Sequence, residues 1–396
     1  MKVYVVGTCD TKAEELRFAC ACAADAGAAT ALVDVSTVGQ GMADVTAAEV
    51  AGFHPQGSSA VLGPKDRGQA ISAMAEALTR YLLSRGDIGA VLGLGGGGNT
   101  ALVTQAMRAL PVGVPKLMLS TMASGQVAPY VGPTDITMMH AVADVAGLNA
   151  ITRQVIGNAA HAAAGMALNR RPAVARAKPG IGFTMFGVTT PLIAQLRARL
   201  EKTHECFVFH ATGTGGQCFE KLADGDFFSA VFDMTTTEVA DHLFGGVLPC
   251  TADRFGCFAR RSIPYVGSVG ACDMVNFGGR DTVPDAFKKR TLHVHNAQVT
   301  LMRTTAQENA AIGAFIVERL NRMKGPVRFL LPLRGVSALD ARDQVFFDPA
   351  ADVALFDAVR HGWKADGNRQ LIEVDSHIND ATFAEAALSA FYDIAS

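Results

Sequence analysis

Two short segments in the first quarter of the chain carry residue types suited to holding an anion. Residues 93–100 read GLGGGGNT and residues 7–12 read GTCDTK. The glycines stand between an apolar run, Ala90-Val91-Leu92, and a helical pattern of Ala101, Leu102, Ala106, Met107 and Leu110. Such a turn exposes several backbone N–H groups where the helix dipole is positive, which favours phosphate or carboxylate. A tight turn needs only one or two glycines, so Gly95, Gly96, Gly97 and Gly98 point to a ligand. A purely conformational role is the competing reading. Gly93, Gly95 and Gly98 have the spacing of a dinucleotide fingerprint, without an acid about 20 residues on to hold a ribose. Gly93 to Thr100 has P-loop spacing, with Asn99 in the place of the lysine. Lys12 could supply the missing charge.

Other polar groups follow predicted strands in the same half: Gly7, Thr8, Asp10 and Thr11, then Asp34, then Ser120, Thr121, Ser124 and Gly125. Their hydroxyls and loop N–H groups suit phosphate, and Asp10 or Asp34 suits Mg²⁺ or a ribose hydroxyl. Helix capping explains Thr8, Asp10 and Thr11 equally naturally, and a strand-end turn explains Asp34. The second half is richer in groups for acid–base chemistry. His210, Glu238, Asp273, His295 and His377 are the catalytic candidates, because histidine titrates near neutrality and a carboxylate beside it sets its tautomer. Thr189, Thr190 and Asn276 are candidate substrate contacts. Arg303 and Arg334 suit an anionic substrate, since guanidinium matches carboxylate in a bidentate fork, or else a structural ion pair. His210, Glu238, Asp273, Asn276, His295 and His377 are expected to share one pocket. No metal is assigned, and no G-x-S-x-G or H-E-x-x-H occurs.

These residues need a scaffold that brings loops together. A chain of 396 residues exceeds one ordinary core, and its two halves look alike. KVYVVG matches GIGFTMFG, ATALVD matches ECFVFH, GAVLGLGGGG matches SAVFDMTTTE, and PKLMLS matches IPYVGSVG, the last with the polar tail ACDMVNFGG. Each half repeats strand, polar loop, helix. That order predicts an α/β protein of two Rossmann-like parallel-sheet domains, residues 1–178 and 179–396, with a cleft between them and a hinge within 169–180. VRFLLP and RQLIEV enlarge the second sheet. Net charge −2 without a basic cluster argues against nucleic acid as a partner. No apolar run is long enough for a membrane span, and the start MKVYVVGTCDTK lacks the length of a signal peptide, so a cytoplasmic location is expected. The eight cysteines lack metal spacing and read as small buried hydrophobes, with Cys9 and Cys272 as the loop-borne exceptions.

Longer stretches add a resemblance. GTCDTKAEEL, GLGGGGNTAL, STMASGQVAPYVGPTDITMMHAVADVAGLN, TMFGVTTP, VFHATGTGG, DMTTTEVADHLFGG, HNAQVTLMRTT and HIND occur in order along the whole chain. In these the chain resembles the tobamovirus-resistance-protein-like ATP-binding family. The resemblance implies two Rossmann-like subdomains, ATP on the loops of the first, and a homodimer; Mg²⁺ is expected with the ATP because of the carboxylates beside those loops. Some relatives carry a C-terminal barrel resembling phosphoenolpyruvate hydrolases, which makes a separate barrel-fold polypeptide a candidate partner. The leading expectation is therefore an ATP-binding protein, with a small organic acid in the cleft. The alternatives are a hydrolase or lyase using the second-half histidines and carboxylates, and a non-catalytic regulator controlled by nucleotide.

Overall fold

The computed structural model describes residues 1–38, 41–64, 66–171 and 176–395. The chain divides into two compact units, Met1–Ala173 and Val174–Ser396. Residues 172–175 of the expected hinge lie outside the described residues.

In the first unit, β1 (Lys2–Gly7), β2 (Ala29–Asp34), β3 (Ile88–Gly95), β4 (Lys116–Ser120) and β5 (Thr137–His140) form one parallel sheet in the order β2-β1-β3-β4-β5. Alternation along β1 explains why both faces must be covered. Val3 and Val5 join the core under helices Cys9–Asp25 and Ala150–Leu168, and Tyr4 and Val6 join the core under Arg67–Leu83 and Gly97–Ala109. Chain order reverses between β1 and β3. At that switch point the loops leaving adjacent strands depart to opposite faces and leave a crevice at the carboxyl edge.

The second unit repeats the plan. Strands β6 (Gly180–Met185), β7 (Glu205–His210), β8 (Ala230–Thr235) and β9 (Tyr265–Gly270) precede an insertion formed by β10 (Met274–Phe277), β11 (Leu292–Asn296) and β12 (Val299–Arg303); β13 (Val327–Pro332) and β14 (Arg369–Val374) follow. The parallel sheet runs β14-β13-β9-β8-β6-β7, with the switch point between β6 and β8. Both sheets are thus doubly wound α/β layers, as the repeat implied. The insertion is a separate antiparallel sheet, β10-β12-β11. Here the structure corrects the sequence reading. The segment ACDMVNFGG is not the polar tail of β9: its centre is β10, paired with β12 from Met274↔Arg303 to Phe277↔Thr300. Among the described residues no helix is long and apolar enough to cross a membrane.

Candidate functional site

A cavity of about 630 Å³ opens at the switch point of the first sheet. Thr8, Asp10, Thr11 and Lys12 line it from the loop and helix after β1, and Gly96, Gly97, Gly98 and Asn99 from the turn after β3. The glycines of this turn divide into two kinds. A Cβ on Gly93 would come within 2.5 Å of the Met118 sulfur and 2.8 Å of Val103, and one on Gly95, whose φ is +151°, within 2.9 Å of Asn99 Cβ. Those two are glycine because packing and backbone demand it. A Cβ on Gly96 or Gly97 would find nothing nearer than 3.7 Å, and one on Gly98 nothing nearer than 3.4 Å. Packing does not explain these three, and their small size keeps the backbone open to the cavity.

That backbone is also short of partners. Gly96 caps helix Gly97–Ala109 without any side-chain cap, and Gly97, Gly98 and Asn99 N–H have no acceptor among the described residues. The turn is held from behind: Thr100 Oγ1 donates to Gly96 O at 2.9 Å and lies 2.6 Å from Ser120 Oγ. The Asn99 amide nitrogen donates to Leu94 O, while its oxygen is buried without a partner.

The other helix that starts here, Cys9–Asp25, is already satisfied. Cys9 N–H donates to Asp34 Oδ1 at 2.9 Å and Asp10 N–H to Ser36 Oγ at 3.1 Å. Asp34 is buried and also accepts from Ser36 N–H and Gly41 N–H, so its carboxylate organises the loop and does not line the cavity. Thr8 and Thr11 make no helix cap; their hydroxyls lie 3.0 Å apart beside the cavity. Lys12, non-helical at φ −135°, donates its ammonium to Val145 O. Gly7 packs against Leu16, and Ser120, Thr121, Ser124 and Gly125 form the end of β4 and a short turn outside the lining. The structure adds residues that sequence reasoning missed: Arg67, Asp144, Thr37, and the apolar Val35, Ile71 and Leu102. No local pattern marks Arg67, which merely opens a helix; Asp144 follows a fifth strand too short to be read from its residues. Cys9 is buried rather than loop-exposed, and burial beside Asp34 pushes its thiol up to about 12; Cys272 is buried likewise.

The switch point of the second sheet is filled. Thr189 is fully buried, its hydroxyl 2.8 Å from that of Thr235, and it accepts from Phe186 N–H; Thr190 is exposed beside it. Thr236, Thr237 and Glu238, which follow β8, have no exposed surface. Glu238 accepts from Arg254 at 2.6 Å and from Gly213 N–H. Arg254 also pairs with Asp233 at 2.8 Å and Glu220 at 2.9 Å. Burial pushes Glu238 up against the pull of Arg254.

Of the remaining candidates, two are brought together. Asp273 is buried and accepts from Ser337 Oγ at 2.7 Å, and His377 Nε2 lies 2.8 Å from Ser337 O, so these two meet through Ser337. The His377 ring is held between that carbonyl and Asn379 N–H. Asn276 donates from its backbone to Asp241, at 2.7 Å. His210 ends the edge strand β7 against Phe186, and His295 is exposed on β11. None of the six lines the cavities around Glu201, Arg334 or Arg254 in this unit. Arg303 is a buried ion-pair centre, bound to Asp352 at 2.7 Å and Asp340 at 3.3 Å. Arg334 is exposed and chelated by Asp375. Among the described residues no cluster of three metal-ligating side chains occurs.

Two family models cover the chain. That of the uncharacterised protein family UPF0261 N-terminal domain matches residues 1–172, and that of its C-terminal domain matches residues 178–395. A UPF0261 protein of Rhizobium meliloti (strain 1021) is 53% identical over 100% of this chain and 99% of its own length. One from Clostridium tetani (strain Massachusetts / E88) is 42% identical, over 97% and 96% respectively. The ToMV resistance protein Tm-1(GCR237) of Solanum lycopersicum is 40% identical over 99% of this chain and 56% of that longer protein.

Proposed function

The chain belongs to the uncharacterised protein family UPF0261 across both units, and from the geometry of the first-unit cavity we propose that it binds ATP there. The observation that carries this reading is the open side of Gly96, Gly97 and Gly98, glycines that packing does not require, at the uncapped start of a 13-residue helix. Unpaired N–H groups and the positive end of the helix dipole suit a phosphate chain. Arg67 and Lys12 add positive charge on the cavity wall, and Val35, Ile71 and Leu102 offer an apolar surface to a base. Asp10 and Asp144 fit the need of a Mg²⁺ ion for one or two carboxylates beside phosphate oxygens. The ion would offset phosphate charge.

Binding is measured by calorimetry. Gly96→Val is expected to abolish ATP binding in a folded protein; unchanged affinity removes the phosphate role from this turn. Lys12→Ala is expected to weaken ATP more than AMP, since the ammonium serves the distal phosphates. Equal losses would reduce Lys12 to a support for the Val145 loop. From the family resemblance we also propose a homodimer, and a cytoplasmic location is proposed with it, since eight free thiols suit a reducing compartment. A monomer mass by light scattering at micromolar concentration would refute the dimer.

A further inference from the structure

The second unit holds a cavity of about 300 Å³ at the carboxyl end of β13, at the small end of the range for ligand sites, roughly 300–1,000 Å³. Its walls are apolar: Leu333, Phe347, Pro349, Val353 and Phe356. Phe347 and Val353 are 43% and 50% exposed, apolar surface that the fold itself leaves uncovered. Two guanidinium groups stand in the lining, and they differ. Arg334 is chelated by Asp375 at 2.7 Å through both oxygens, whereas Arg342 has no hydrogen bond or ion pair among the described residues. The one acid of the lining, Asp352, is tied to buried Arg303 at 2.7 Å. Helix Pro349–Gly362 begins at the cavity, but Asp348 already accepts from Ala351 N–H, so an anion there is met by guanidinium and not by the helix end.

We propose that this cavity binds a small monocarboxylate with an apolar body, its carboxylate on Arg342 and its hydrocarbon against Phe347, Val353 and Phe356. Guanidinium pairs with carboxylate in a planar fork, the apolar walls reward a hydrocarbon that a phosphate would not present, and a second carboxylate would find Arg334 already paired with Asp375. The volume excludes a folded peptide segment. Every residue involved lies in the second unit, so the inference stands apart from nucleotide binding in the first.

The test is a calorimetric titration of the full chain with hexanoate and benzoate, and with hexanol and benzyl alcohol as neutral counterparts. Saturable binding of at least one acid at millimolar concentration is expected, with its alcohol at least about tenfold weaker, the loss of one hydrogen-bonded charge pair. Arg342→Gln, at an exposed position, is expected to weaken the acid about tenfold with an unchanged melting temperature. Val353→Trp fills the cavity and is expected to remove binding while ATP affinity stays as it was; Phe347→Ser is the milder variant should the tryptophan not fold. Failure of both acids to bind, or equal binding of acid by Arg342→Gln and the parent protein, overturns the proposal.

Discussion

Strands β3 and β8 hold the same place beside the first strand of their sheets, yet the chain leaves them in opposite ways. After β3, Gly96, Gly97 and Gly98 leave N–H groups facing an open cavity. After β8, Thr236, Thr237 and Glu238 are wholly buried, and Glu238 is fastened to Arg254. One switch point is kept vacant by glycine and the other is occupied by the chain's own hydroxyls and carboxylates. The difference teaches that this topology supplies a crevice, and that the residues of the turn decide whether a ligand or the protein fills it.

The comparison can be broken most forcefully at Arg254. Its removal leaves Asp233, Glu238 and Glu220 buried without their cation, so Arg254→Met is expected to lose about 3–5 kcal/mol in chemical denaturation. A loss below about 1 kcal/mol would show that the second switch point is not held by charge. Next comes the glycine turn. Gly96→Val is expected to lower ATP affinity at least about 100-fold with little change in stability. Gly93→Val, facing Met118 and Val103, should instead destabilise by about 1–3 kcal/mol. If both variants lose stability alike, the two classes of glycine collapse into one.

Acidity separates the units as well. Burial, partly offset by Arg254, pushes Glu220 up from its ordinary 4.5 to about 7. Burial also raises Asp241 to about 6. Across that window the folded state keeps protons that the unfolded chain has released, so the second unit loses stability as pH rises from about 4.5 to 7. In the first unit, Asp87 is held low by the Tyr4 hydroxyl, and Asp135, despite the cost of burial, is held low by Lys116. Their contribution is present at neutral pH and is lost only as pH falls below the ordinary carboxylate range. Hydrogen exchange resolved by unit, at several pH values, reads the contrast; parallel responses would remove it.

The smallest expected effect compares two threonines near the start of a helix that follows the first strand of each unit. Thr189→Val strips a buried hydroxyl from Thr235 and from Phe186 N–H and should cost about 1–3 kcal/mol. Thr11→Val, on the exposed rim of the open cavity, should stay within about 0.5 kcal/mol in thermal melts. Equal costs would mean that the first cavity is closed by contacts of the second kind.

Much of this architecture was legible beforehand because buried parallel strands write themselves locally, as apolar runs ending in polar loops. The pairs KVYVVG with GIGFTM and GAVLGLG with SAVFDMT identified β1, β6, β3 and β8 in the right order. Strand β5, with only Thr137–His140, was too short to register, and β10 was concealed because pairing with a partner some 25 residues away defines it. Candidate residues divided along the same line. Gly96 to Asn99 and Thr8 to Lys12 lie directly after adjacent strands, so sequence placed them together at one crevice. Arg67, at the start of a helix, and Asp144, in the loop after β5, reach it by a course that nothing local specifies.

By itself, then, the sequence determined the class of fold, the repeated order of strands, and a turn with more glycine than its geometry needs. Tertiary structure alone decided which polar groups remain available to a ligand. Whether a carboxylate is available depends on partners distant in the chain. Glu238 meets Arg254, Asp273 meets Ser337, and Asp34 is taken by the N–H groups of Cys9, Ser36 and Gly41. A residue's type is a local property, whereas the desolvation and pairing that fix its role are set only when remote segments pack around it.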